Sequence, residues 1–224
     1  MGIHDGHRER AKERFLAHGL NNFDDHTALE LLLYFAIPRR DVNELAHSLI
    51  DSFGNLSGIF DASYEELLKV PGVGKTGATL LKLVPAICRR YMISLSGYAD
   101  MLTSTALAGA YLVPRFMAER DEVVLLVCLD AKRKVLNCRE IARGSVNSAE
   151  ISIRKIAEIA LAHNSTSVIL AHNHTSGIAV PSAEDERTTR KIKASLELVG
   201  VTLADHIVVA NDDYVSMADS GILS

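Results

Sequence analysis

His172 and His174 stand one residue apart in the stretch Ala171-His172-Asn173-His174-Thr175-Ser176-Gly177, and Ser182 and Asp185 follow shortly after. Imidazole nitrogens and a carboxylate oxygen are a zinc ligand set. Val168, Ile169 and Leu170, just upstream, are a short apolar run that predicts a buried strand. Side chains alternate along a strand, so the two histidines point to the same side and can share one ion. Gly177 and Pro181 mark a loop, after which Ser182-Ala183-Glu184-Asp185 opens a long helical pattern that can return a carboxylate to that ion. Two nitrogens and one oxygen leave a fourth tetrahedral position for water, the pattern of a catalytic rather than a structural zinc site. Ser182-x-x-Asp185 is also a capping box, and the capping and ligand roles are compatible.

The elements that must position these groups come from the second part of the chain, residues 102–224, where strand and helix patterns alternate and predict a mixed α/β domain. A helix across Leu107 to Arg120 is followed by Glu122 and the apolar strand 123–129. Asp130-Ala131-Lys132-Arg133 turns this strand into a hairpin returning through Val135 to Ile141. Arg143 to Ser148 reads as a loop, and Ile153 to His163 as an amphipathic helix with Ile153, Ile156, Ala157 and Ala160 on one face. Strand 167–171, the helix Ser182 to Val199, and strands Val201–Ala210 and Tyr214–Ser216 complete the domain. Asp205 and His206 are read as structural groups at a strand start in preference to partners of the metal site.

Residues 1–95 show helical periodicity, and Ser94-Leu95-Ser96-Gly97 reads as a linker. Ala28 to Phe35 predicts a buried helix ended by Pro38, and Val42 to Phe53 a second one. Tyr64 to Val70 is helical, Pro71-Gly72-Val73-Gly74 is a tight turn, and Lys75 to Tyr91 resumes the helix. This segment, about 64–91, resembles the helix-hairpin-helix motif. The resemblance implies sequence-independent DNA contact through Gly72, Gly74 and Lys75, where the glycines admit a phosphate and the helix N-terminus favours an anion. Lys82, Arg89 and Arg90 would add backbone contacts. Gly74-Lys75-Thr76 is not a P-loop, because the first glycine of that motif would fall at Lys69 and no strand leads into it.

Apolar residues make up 48% and charged residues 23% of the 224, with no apolar run long enough to span a membrane, which predicts a globular protein without a membrane span. The N-terminus is polar and unlike a secretory signal, so a cytoplasmic location is expected. Cys88, Cys128 and Cys138 are odd in number and lack C-x-x-C spacing, which predicts reduced, mostly buried thiols. A net charge of −4 excludes a global attraction to nucleic acid and leaves only local contact.

The spacing His-x-His-x7-Ser-x2-Asp resembles the signature of JAMM (MPN+) metalloproteases, matched at His172, His174, Ser182 and Asp185. Over essentially the full chain the sequence is similar to the RadC family, as in Arg39 to Ala46, Leu56-Ser57-Gly58 and Asp205-His206-Ile207. That likeness implies a mixed-sheet JAMM/MPN-like (cytidine-deaminase-like) domain preceded by a small all-α helix-hairpin-helix domain. It further implies one Zn2+ per chain on His172, His174 and Asp185, and a zinc-dependent hydrolase acting on a peptide or protein substrate. Glu122, at the start of a core strand, would be the general acid/base that takes a proton from the attacking water and returns it to the leaving amine. Ser182 would join the metal in stabilising the oxyanion, a contribution of about 3 kcal/mol for one good donor. The sequence departs from the family at Thr175, where a proline is usual, and at Ser152-Ile153-Arg154-Lys155, where H-P-R-E is common. Two rival expectations are a DNA-binding accessory protein of repair or recombination with a non-catalytic metal domain, and a metal-dependent nuclease. Against the nuclease stands the lack of the carboxylate cluster that two-metal phosphodiester chemistry uses.

Overall fold

The computed structural model describes residues 3–38, 40–96, 101–144 and 152–223. The chain divides into two compact units, Met1–Cys88 and Arg89–Ser224. The division falls inside a helix. Ser94, Leu95 and Ser96, expected as linker, are the last residues of that helix, and Gly97 lies outside the described residues.

The first unit is all helical: α1 (Ile3–His18), α2 (Asp25–Ala36), α3 (Asn43–Phe53), α4 (Leu56–Asp61), α5 (Tyr64–Lys69) and the beginning of α6 (Gly74–Ser96). α2, α4 and α5 start where side chains satisfy free N–H groups of the first turn. The Asp24 carboxylate accepts from the Thr27 N–H at 3.0 Å, and Ser63 with Glu66 forms a reciprocal capping box on α5. Leu29, Leu33, Leu49, Ile59, Leu67 and Leu81 are fully buried in the shared core. Two helices escaped the sequence reading. α1 is polar on all sides and offers no apolar stripe, and α4 is only six residues long, too short to show a period.

The second unit contains α7 (Thr105–Phe116), β1 (Val123–Leu129), β2 (Val135–Arg143), α8 (Ile153–Ala162), β3 (Ser167–Asn173), α9 (Ala183–Glu197), β4 (Thr202–Ala210) and β5 (Asp213–Ser216). The strands form a five-stranded sheet in the order β2-β1-β3-β4-β5. Only β3 and β4 run parallel; every other neighbour pair is antiparallel. A parallel pair needs a crossover, which α9 supplies. β1 and β3 are buried at every position, so alternation divides their side chains between two cores. Val124, Leu126, Val168 and Leu170 pack with Ile156, Ile192 and Leu196 of α8 and α9. On the opposite face Leu125, Val127, Ile169 and Ala171 pack against Leu112 and Phe116 of α7. The result is three layers, helix, sheet and helix. By the same alternation His172 falls on the α9 side and Asn173 on the α7 side.

The helix expected to reach Arg120 ends at Phe116, where Met117 leaves helical geometry and Ala118 takes the left-handed φ of 60°. The expected loop at 143–148 begins at Gly144, and residues 145–148 lie outside the described residues. The cysteines carry no disulfide; Cys128 is buried and Cys138 half-buried, but Cys88 is exposed, against the expectation for buried thiols. Among the described residues no helix is long and apolar enough to cross a membrane.

One packing contact gives a stability prediction. A Cβ on Gly109 of α7 would lie 2.3 Å from atoms of the Tyr214 ring. A rigid ring cannot yield that distance without moving β5, so Gly109→Ala is expected to destabilise the second unit by about 1–3 kcal/mol. Urea unfolding of the two proteins measures it, and an unchanged midpoint would contradict the close packing of α7 on β5.

Candidate metal centre

β3 carries the histidines as the strand pattern required. His172 lies inside the strand, and His174 follows it, its backbone N–H donating to Val209 O of β4 at 2.8 Å. The loop 175–181 then leads to Ser182, the N-cap of α9, and Asp185 stands in the first turn of that helix. Among the described residues, His172, His174 and Asp185 are the group that can hold a metal ion. His172 Nε2 and His174 Nε2 are 2.9 Å apart. Asp185 presents Oδ1 to His172 Nε2 at 3.3 Å and Oδ2 to His174 Nε2 at 3.5 Å. Ligand atoms about 2.05 Å from a tetrahedral ion lie about 3.3 Å from each other. The observed contacts, one to each carboxylate oxygen, lie near that edge, so two imidazoles and a carboxylate converge here closely enough to hold a metal ion.

Ser182 holds the carboxylate. Its backbone N–H donates to Asp185 Oδ2 at 2.7 Å and its hydroxyl to the same oxygen at 2.6 Å, while Ser182 Oγ accepts from the Asp185 N–H at 3.1 Å. One pair of residues is therefore the capping box of α9 and part of the site. Burial opposes ionisation of Asp185. The adjoining His172 and the two Ser182 donors outweigh it and hold the carboxyl well below the usual carboxylate range. The helix N-terminus adds a favourable field of the same sign. Asp185 is thus an anion at any pH where a metal ligand would be needed.

Glu122 immediately precedes β1 and is partly exposed. It lines the same cavity of about 300 Å³ as Val124, His172, His174, Ser182 and Asp185. Its backbone is held from two sides. Gly144 N–H donates to Glu122 O at 2.9 Å. On the other side the β1–β3 ladder ends at Val124 and His172, and the Asn173 side chain takes it one step further. Asn173 Oδ1 accepts from the Val123 N–H at 2.7 Å and Nδ2 donates to Asp121 O at 3.0 Å. This buried amide brackets Glu122 in sequence, a role the sequence reading missed although an amide in a wholly buried strand was the available signal.

His206 was read as structural, and the structure places it against the site. Its Nε2 is 2.8 Å from His172 Nδ1, its Nδ1 is 2.5 Å from Thr189 Oγ1, and it is 2% exposed. Burial and the neighbouring imidazoles push its pKa well below the ordinary histidine range, which keeps the ring neutral. Asp205 points elsewhere: it accepts from the Ser216 hydroxyl and the Ala218 N–H and so pins the turn after β5. Thr189 was not singled out by sequence, though its place one turn after Asp185 puts it on the same face of α9.

Of the two departures, Thr175 is an exposed turn residue after His174. Lys155 turns back to the sheet, its Nζ donating to Ile141 O at 2.7 Å. In the helical unit Gly72 and Gly74 both adopt positive φ, 98° and 60°, and Gly74 and Lys75 are exposed at the start of α6. Lys82 is committed elsewhere, its Nζ donating to Phe60 O and Ala62 O at 2.7 and 2.9 Å. Arg89 pairs with Glu119 at 2.5 Å. Neither is thereby available for the phosphate contact expected of it.

Comparison with known proteins gives two family matches, a RadC-like JAB domain over residues 102–222 and a UPF0758 N-terminal domain over residues 5–79. A UPF0758 protein of Nitrosococcus oceani is 35% identical over 215 residues, covering 96% of each chain. One from Methylibium petroleiphilum is 37% identical over 214 residues, again 96% of each, and one from Burkholderia cenocepacia is 36% identical, covering 98% of this chain and 85% of that one. The first match covers most of the mixed α/β unit and the second most of the helical one, and near-complete alignment with the relatives joins both parts. The chain belongs to the RadC-like JAB-domain family, with the UPF0758 N-terminal domain before it.

Proposed function

We propose that this protein is a zinc-dependent hydrolase of JAMM type that cleaves an amide or isopeptide bond. The observation that carries this reading is the convergence of His172, His174 and Asp185 at 2.9–3.5 Å in a cavity that Glu122 also lines. His172 and His174 offer Nε2 and Asp185 offers Oδ1 as ligands. A zinc ion so held would lower the pKa of a water in the open position toward neutrality and polarise a carbonyl.

The protein's own groups then do the rest. Glu122 takes the proton of the attacking water, holds it at its carboxylate and delivers it to the leaving nitrogen, which would otherwise depart as an unstable amide anion. Asn173 and Gly144 fix the backbone from which it acts. Toward substrate, the Ser182 hydroxyl exchanges its bond to Asp185 Oδ2 for one to the developing oxyanion, while the Ser182 N–H keeps Oδ2 in place. Zinc content by elemental mass spectrometry, with cleavage of peptide and isopeptide libraries before and after chelation, tests the reading. A protein that takes up no zinc on reconstitution ends it.

The second reading is sequence-independent DNA binding at Gly72, Gly74 and Lys75 in a repair or recombination role, favoured by the exposure of Gly74 and Lys75 at the N-terminus of α6. A metal-dependent cut in DNA instead of peptide in the same assays would select a nuclease; DNA retention without cleavage would select the accessory role.

A further inference from the structure

Two residues outside the candidate ligand set, Thr189 and His206, run in a chain of contacts up to one of its members, His172. One group beside them has no choice of role. The Asp185 carbonyl oxygen can only accept, and Thr189 Oγ1 lies 2.6 Å from it. Two oxygens that close repel unless a proton lies between them, so the single Thr189 hydroxyl proton is given to Asp185 O. Oγ1 then has only lone pairs for its other close neighbour, His206 Nδ1, which must carry the proton it donates. Buried, and with neither ring nitrogen bonded to a carboxylate, the His206 ring carries one N–H, so its Nε2 is an acceptor. Its partner at 2.8 Å, His172 Nδ1, must therefore donate. That leaves His172 Nε2 as the nitrogen facing His174 and Asp185, available to an ion held there.

We propose that Thr189 and His206 form a hydrogen-bond relay of fixed direction, from His172 through to the Asp185 carbonyl, that locks His172 in its metal-binding tautomer. Both are positioning residues. The relay starts on one ligand, ends on the main chain of another, and lies wholly inside the protein, with Thr189 at 0% and His206 at 2% exposed. With so little of either residue exposed, the tautomer is set by β3, β4 and α9 together. Bonds of this kind to a ligating histidine typically change metal affinity about 10–100-fold.

The inference rests on the zinc reading for its consequence but not for its geometry, so two measurements separate the two. The first is a long-range 1H–15N spectrum of histidine-labelled, metal-free wild-type protein, in which His206 is expected as the Nδ1–H tautomer. An Nε2–H His206 overturns the relay whether or not zinc binds. The second is zinc affinity by competition with a chromophoric chelator. Thr189→Val, which keeps shape and loses the hydroxyl, is expected to bind zinc about 10–100-fold more weakly, and Thr189→Ser to match wild type. Equal affinity in Thr189→Val overturns the proposal. Should that variant fail to fold, the wild-type spectrum still decides. Wild-type protein that shows the expected tautomer but takes no zinc would refute the hydrolase reading and leave the relay standing.

Discussion

Glu122→Gln is expected to lower the rate of amide cleavage by about 10²–10⁴-fold while zinc content stays near one per chain. The substitution keeps the size of the side chain and its place in the cavity but removes the group that accepts and returns the proton. The backbone should not move, since Val123 N–H, Asp121 O and Glu122 O are held by Asn173 and Gly144 and not by the Glu122 side chain. Single-turnover measurements on any confirmed substrate, with metal analysis of the same samples, check it. Turnover within a factor of about two of wild type would remove Glu122 from the mechanism. The other carboxylates lining the cavity are already engaged, Asp185 beside the two histidines and Glu184 with Arg187.

His174→Ala is expected to abolish zinc retention. Two ligands, His172 and Asp185, would remain, and the chelate would lose the imidazole that faces both. Ligand binding to the folded state alone stabilises it by about 4 kcal/mol at a thousandfold excess over Kd. Wild-type protein should accordingly melt at lower temperature after chelation, whereas His174→Ala should melt at one temperature with or without chelator. Calorimetry with and without chelator, paired with elemental analysis, reads both effects. Retained zinc in the variant would place the ion on other groups.

Much of the site was legible in the sequence. Period-two alternation in an apolar run determined that His172 and His174 share a side, and Ser182-x-x-Asp185 determined both the start of α9 and its cap, because these signals are local and need only a few consecutive residues. β1 was bounded correctly for the same reason, its seven residues being apolar without a break. α1 and α4 were not legible, having no apolar period to display.

What only the tertiary structure decided is long-range. Nothing in the spacing of Asn173 tells that its amide extends a ladder to Val123, fifty residues away, and so brackets Glu122. Nor does the Asp205-His206 pair reveal that one residue pins a turn while the next lies against His172, since that depends on the parallel register of β4 on β3. Lys82 looked like a cation for phosphate and is a donor to the carbonyls of Phe60 and Ala62. The candidate ligand set followed from residue type and local period. The orientation of those side chains, the placement of Glu122 and the use of each buried polar group followed from pairings between distant strands and helices, because a buried hydrogen bond is satisfied by whatever the fold brings beside it.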